Sequence, residues 1–330
     1  MAEPILKKTW EFHHTAVNGS AQLYLWTLKN QLLNMTHAPW TVHASCGYNG
    51  STFDYALGVD YWVDVDDLVG GTGDRSWIVL TNSVTGAQLL IGMGSGSEEN
   101  CSFYYSPGGL YTSTGFNAST YPTATDYISM GYRYGWGGSD TGWQHVMQST
   151  DGTCLRIFPT RVDRAYNYDG MPHATGWIMF DEVQDAPPLW EVPRAVAAAF
   201  GNTYEGSDYL TWGKWGANTA QIKARVNGVH TSLFAGTPIV NSYFYGYQIN
   251  NETDTDPIER ACTGMVLFAV EVGEEGYRGQ LTDLWWGQLT GNRGGTVKPY
   301  ATGTTFGANG DFIQMGEMVF PWDGWALLGD

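Results

Sequence analysis

The sequence predicts a mainly β fold: an antiparallel β-sandwich or barrel-like pair of sheets, with one N-terminal helix packed on the sheet. Short apolar runs with a two-residue period recur along the chain, separated by turn residues. Only one stretch carries a helical period. Glycine makes up 43 of 330 residues, beside 15 Trp and 20 Tyr, which suits aromatic strands joined by loops better than a helical bundle.

The helix is expected at residues 21–34. Ala21, Leu25, Leu28 and Leu32 recur at helical spacing with Trp26 and Leu33 beside them. Asn18 or Ser20 can cap the start, and Pro39 forbids long continuation. After it the period becomes two. Residues 40–44 form a short strand, and residues 61–69 alternate apolar and acidic side chains like a half-exposed strand. Residues 76–81 and 87–93 flank a turn-like 82–86 and read as a hairpin. Residues 101–106 follow. Residues 145–150 and 153–158 enclose Asp151-Gly152, a strong signal for a two-residue hairpin turn. Residues 176–181 complete the first part. Three prolines in residues 185–193 make a stiff connector. This suggests a sandwich-like domain over residues 1–185 and a second β-rich part, residues 194–330, packed on it. In the second part, residues 195–200, 221–226, 242–249, 265–272, 281–289 and 311–320 read as strands or short helices.

Composition narrows the function. Lys and Arg total 16 against 33 Asp and Glu, a formal net charge of −17. Such an acidic chain lacks the basic face of a nucleic-acid binder. No apolar run reaches the roughly 18 residues of a membrane span, and residues 1–20 lack the apolar core of a secretory signal. Charged residues are only 15%, against about 25% in an average globular chain. A surface so sparsely charged is covered by Ser, Thr, Asn and Tyr, or by other protein. The 4 cysteines, Cys46, Cys101, Cys154 and Cys262, have no close pairing. They are expected to be free, mostly buried thiols in a reducing compartment.

Chemistry-bearing patterns are scarce. Asp64 and Asp66 would share one face of a strand, a solvated edge that is also compatible with calcium. Two carboxyls across a cleft would suit a glycoside hydrolase, but nothing pairs these with a second acid. None of the 7 histidines falls in a metal-binding spacing; His13 and His14 suit an N-terminal arm, and His43 and His145 suit a core or rim. There is no nucleophile elbow and no phosphate-binding loop. The expectation is a non-enzymatic protein with no cofactor and no metal.

The aromatics stand out. Tyr132, Tyr134, Trp136 and Trp143 crowd one Gly-rich region, and Tyr243, Tyr245, Trp285 and Trp286 another. Many must fill the core. Those left outside would anchor a protein interface or the face of a sugar, where Tyr and Trp are favoured.

The order of segments carries a resemblance. Trp10-Glu11-Phe12 and the Leu-rich helix are followed by Pro39-Trp40-Thr41-Val42 and by Arg75-Ser76-Trp77-Ile78-Val79-Leu80. Next come Pro122-Thr123-Ala124-Thr125-Asp126, His145-Val146, Ser149-Thr150-Asp151-Gly152 and Gly176-Trp177-Ile178-Met179-Phe180. Leu284-Trp285-Trp286-Gly287 and Val319-Phe320-Pro321-Trp322-Asp323-Gly324 close the series. The chain resembles uncharacterised virion structural proteins of tailed bacteriophages. The resemblance implies a place in the particle, in the tail, baseplate or capsid-accessory set, and transfers no functional residue. The expected partners are further copies of the chain and other virion proteins, with a host-surface glycan as the alternative ligand and neither nucleic acid nor membrane.

Overall fold

The computed structural model describes residues 6–18, 20–70, 73–93, 100–106, 109, 111, 121–122, 128–133, 141–161, 173–174, 176–184, 194–201, 220–226, 229–232, 239–240, 262–269, 276–287, 305–306, 311–315 and 318–322. Along the chain they form β1 (Trp10–Asn18), α1 (Ala21–Leu33), β2 (Trp40–Tyr48), β3 (Phe53–Leu57), a 3-10 turn (Val65–Asp67), β4 (Trp77–Asn82), β5 (Gln88–Met93), β6 (Asn100–Ser106) and β7 (Ile128–Arg133). Then come β8 (Thr141–Ser149), β9 (Leu155–Arg161), β10 (His173–Ala174), β11 (Gly176–Gln184), β12 (Arg194–Gly201), β13 (Ala220–Val226), β14 (Val229–Ser232) and β15 (Ile239–Val240). The last are β16 (Cys262–Ala269), β17 (Gly276–Gly287), β18 (Thr305–Phe306), β19 (Phe312–Met315) and β20 (Met318–Pro321).

The fold is mainly β and sandwich-like, with every described strand pair antiparallel. One sheet is six-stranded, in the order β3-β2-β4-β5-β6-β7. The other runs β1-β8-β9-β11-β17-β20-β19-β18, with β12, β13 and β14 branching from β11 and β15 and β16 from β17. Among the described residues neither sheet closes into a barrel. Strands from both sides of the Pro-rich segment share the larger sheet, since β12 pairs with β11; residues 185–193 lie outside the described residues.

The main core lies between the sheets. Ile78, Leu80, Leu89, Ile91 and Phe103 come from the smaller sheet, and Val146, Leu155, Ile157 and Phe180 from the larger. Tyr105 of β6 stacks on Phe180 of β11, ring centroids 4.6 Å apart. A polar tie keys the layers: Trp40 of β2 donates its indole N–H to Gln148 Oε1 of β8 at 2.6 Å. The Gln148 amide in turn donates to the carbonyls of His37 and Ala38, both at 2.9 Å.

The helix matches its sequence expectation within one residue. Its start is at Ser20, but no side-chain cap bond forms there and its first turn carries no acid. Its stability therefore comes from burial rather than from capping. Tyr24, Leu25, Leu28 and Leu32 are fully buried, each worth about 1.5–3 kcal/mol of apolar burial. The flanking polar residues are also buried, because the helix is wedged between layers. Gln31 donates to the Gln144 carbonyl of β8 at 2.8 Å, while Lys29 reaches the Trp62 carbonyl at 2.6 Å and Asp60 at 2.8 Å.

The 76–93 hairpin, the 101–106 strand and the 176–181 strand are found where the sequence places them, and β2 runs four residues further than expected, to Tyr48. Three elements differ. Residues 61–69 are not a strand: they cross over β2, where Ser45 Oγ accepts from Tyr61 N–H at 2.7 Å and Trp62 is buried, then close in the 3-10 turn. Their alternation reflects caps rather than a pleat. His13 and His14 belong to β1, paired along β8, rather than to a loose arm. The Asp151-Gly152 hairpin is longer than a two-residue turn. It closes on Ser149 N–H to Cys154 O at 3.0 Å, because the Asp151 carboxylate folds the loop onto itself by accepting from Ser149 Oγ and from Thr153 N–H and Oγ1. Gly152 takes φ +71°, and a Cβ there would lie 2.9 Å from that of Ala38.

Cys46, Cys101 and Cys154 are free and buried; Cys262 is placed on β16. Burial pushes the Cys46 thiol up to about 12, with Asp74 and Asp54 adding to it. Burial likewise raises Cys154 to about 12 and Cys101 well above its ordinary value. With so little thiolate, these three should resist alkylation at pH 8 in the native state. All should label once the chain is denatured without reductant; failure of any to label would indicate a disulfide or a metal.

Candidate functional site

The structure brings only part of the aromatic set into view. Trp143 sits on β8 opposite Ala16 of β1 and Thr160 of β9. It is half-buried, its ring 5.6 Å from that of His14. Tyr132 lies on β7 opposite Cys101, and Trp285 and Trp286 on β17 opposite Val319 and Met318. Tyr134, Trp136, Tyr243 and Tyr245 lie outside the described residues. The placed members are thus spread over β7, β8 and β17 rather than along one strand.

The acidic segment is used locally. Asp64 accepts from Val65 N–H at 2.6 Å and Asp67 accepts from Asp64 N–H at 2.7 Å, a reciprocal cap around one 3-10 turn. The premise that Asp64 and Asp66 share a strand face is therefore corrected: they sit in a capped turn. Among the described residues no group of three or more His, Cys, Asp or Glu is arranged to hold a metal ion.

A buried charge cluster, invisible to motif reading, ties distant segments together. Arg156 of β9 and Asp181 of β11 are both fully buried and meet at 2.8 Å. The guanidinium also donates to the carbonyls of Thr282 and Asp283 and lies 4.5 Å from the centre of the Trp10 ring. These carbonyls are aimed by a bend in β17. That strand pairs with β11 at Leu281 and with β20 at Trp285, and between them Asp283 takes φ +47°, a left-handed conformation that Asp tolerates better than most residues. The Asp283 carboxylate then accepts from Lys7 N–H at 2.8 Å, Lys8 N–H at 2.9 Å and Trp10 Nε1 at 2.9 Å. Lys8 closes the cluster by binding Asp151 at 2.7 Å and Glu182 at 2.8 Å. With the guanidinium sealed beneath Trp10, the arrangement is a clamp joining the N-terminal segment to β9, β11 and β17. The only local hints in the sequence were charges inside otherwise apolar strands, Arg156 in Leu-Arg-Ile-Phe and Asp181 after Gly-Trp-Ile-Met-Phe.

A second polar node sits where β1 begins. Glu11 accepts from Thr36 N–H at 2.6 Å and His37 N–H at 2.7 Å, and meets ring nitrogens of His13 and His37 at 2.9 and 3.1 Å. Burial opposes ionisation of Glu11, but these partners hold its carboxyl down to about 2.

Among the described residues, the surface has an apolar strip that no sequence pattern singled out. Tyr55 and Leu57 on β3 are 46% and 50% exposed, and Val59 and Val63 just beyond them are 38% and 75% exposed. β3 is the terminal strand of its sheet. Its sequence, Phe-Asp-Tyr-Ala-Leu, has neither the Lys nor the Pro that commonly protects a sheet edge. No family model and no curated protein matches the chain. The geometry therefore carries the functional argument: an internally clamped sandwich that, among the described residues, exposes an apolar strand edge.

Proposed function

We propose that this chain is a non-enzymatic structural subunit of a tailed-phage virion, in the tail, baseplate or capsid-accessory layer, acting through contacts with copies of itself and with neighbouring virion proteins. The observation that carries the self-association part of the reading is the exposed Tyr55–Leu57 edge with Val59 and Val63 close by in sequence. A solitary protein leaves such a strip open to aggregation, whereas an assembly covers it. The low charged fraction of 15% and the abundance of Trp and Tyr agree with contact surfaces, which are poor in Lys and Glu and rich in aromatics. The resemblance of its segment order to virion structural proteins is what favours the particle as the place of action. The Arg156 clamp fits this role as architecture, since a subunit in a particle must keep its shape under load.

Mass spectrometry of particles purified from cells carrying the encoding genome tests the reading. The chain should be present in multiple copies per particle, and particle reconstruction should locate it in a repeated array. Its absence from the particle would overturn the proposal. Purified protein should also leave bacterial polysaccharides and peptidoglycan intact; cleavage abolished by Asp64→Asn or Asp66→Asn would defeat the non-enzymatic assignment.

A further inference from the structure

We infer that the open edge of β3 is a self-association site, at which two copies of this chain pair β3 with β3 antiparallel about a two-fold axis through Tyr55. The inference rests on the reading that the chain works through protein–protein contacts, and it names the surface and the partner.

The backbone sets the register. On the β2 side of β3, Gly58 N–H donates to His43 O at 2.8 Å, and Asn49 N–H donates to Thr52 O at 3.0 Å. With Ala44 opposite Leu57 and Tyr48 opposite Phe53, these bonds mark the phase of the ladder. In an antiparallel pair the groups facing the partner alternate along the strand. Thr52, Asp54, Ala56 and Gly58 therefore turn their N–H and C=O groups toward β2. Phe53, Tyr55 and Leu57 turn theirs to the open side. These three make the free edge, and among the described residues no strand pairs with it.

The edge is complementary to itself. With the axis at Tyr55, each outward N–H and C=O of Tyr55 meets its equivalent on the partner. Phe53 then meets the partner's Leu57, and Leu57 the partner's Phe53. All three pairs fall on hydrogen-bonding positions, so no outward group in the overlap is left over. Side chains agree as well. Asp54, the one charge in the strand, faces the partner's Ala56, so the two carboxylates do not oppose each other; like charges directly opposite would be destabilising. The Asp54 carboxylate is already held by Asn49 Nδ2 at 2.8 Å. Tyr55 and Leu57 of both copies fall on one face and extend the apolar face of the smaller sheet formed by Ala44, Cys46, Trp77 and Val79. The two six-stranded sheets become one continuous sheet across the axis, an isologous contact. A five-residue strand spans only about 17 Å, so the dimer is of the weak class, formed at high local concentration as in an assembling array.

Sedimentation of the purified full chain from low to several-hundred-micromolar concentration should show reversible dimers. Tyr55→Lys should raise the dissociation constant at least tenfold. Tyr55→Pro should do the same while leaving the thermal unfolding profile close to that of the parent, because the Tyr55 N–H it removes points away from β2. The register is read by oxidation. Tyr55→Cys places two thiols across the axis at a Cα separation of about 5.5 Å, within disulfide range, and should cross-link. Phe53→Cys places them about 14 Å apart and should not. A monomer at all concentrations, or cross-linking through Phe53→Cys in preference to Tyr55→Cys, would overturn the inference. A monomeric chain that is still present in particles would refute this interface alone, whereas a dimer absent from particles would refute the virion reading and leave the interface standing.

Discussion

Arg156→Ala should destabilise the protein by about 3–5 kcal/mol, because it leaves the fully buried Asp181 carboxylate without its counter-charge. The loss has further components. The Thr282 and Asp283 carbonyls forfeit a donor each, and the Trp10 ring loses the cation beneath it. Chemical denaturation read by far-UV circular dichroism measures the change. The double variant Arg156→Met with Asp181→Leu should recover much of the loss, since removing both charges also removes the cost of burying them. A shift for Arg156→Ala below about 1 kcal/mol, the value of an exposed pair, would show that the clamp is not a stabilising unit. Asp283→Ala tests the same unit from the other end. It removes the acceptor for Lys7, Lys8 and Trp10 and puts alanine at φ +47°, so it should release the N-terminal segment to proteolysis before the rest of the fold.

Acid should weaken the fold through His145, by about 3–5 kcal/mol between pH 6.5 and pH 3. Burial first, and then the neighbouring His14, hold the His145 imidazole down to about 3, the two rings lying 6.3 Å apart across the β1–β8 pair. In the unfolded chain this imidazole takes a proton below about pH 6.5, whereas in the folded chain it stays neutral until about pH 3. The unfolded state thus binds more protons throughout that window. The stability contributed by neutral His145 is complete above the unfolded value and is lost as the pH falls toward the folded one. His145→Phe keeps an aromatic ring at the site and should flatten the pH dependence of the unfolding free energy over that range. The His145 ring signal in NMR should remain that of neutral imidazole at pH 5. A signal that titrates near pH 6.5, or a slope unchanged in His145→Phe, would contradict the account.

Both predictions concern residues on β8, β9 and β11, and both effects were hidden from the sequence for the same reason. Arg156 and Asp181 are 25 residues apart, and Asp283 lies a further 102 beyond Asp181; no local spacing links them. Only strand pairing places Arg156 opposite Met179 and brings the bend of β17 over the pair. His145 was legible as a core histidine from its apolar strand, but how completely it is buried, the main cause of its lowered pKa, is set by the packing around it, and the second cause, His14, sits on β1, where an arm had been expected. The acidic run at Asp64–Asp67 misled in the opposite sense. Its alternation has the period of a strand, yet Asp64 and Asp67 are spaced for a reciprocal cap, and a cap and a pleat share the same letters over so short a window. No strand was expected over residues 53–57, and the five-residue Phe-Asp-Tyr-Ala-Leu gives no sign of an open edge until its neighbours in the sheet are known.

Local patterns in the chain were enough to specify the fold class, the position of the helix, the hairpin of β4 and β5, and the strands around Asp151 and at Gly176–Asp181. Each is fixed by contacts within a few residues: a 3.6-residue apolar repeat, a two-residue alternation, or turn residues between two runs. Tertiary structure alone decided which strand became an exposed edge, which charges were buried and joined, and which acids became caps. Those outcomes depend on what each residue meets across the sheet or between the layers. Burial turns the same arginine, aspartate or histidine from a solvated surface group into a clamp or an acid-sensitive core residue.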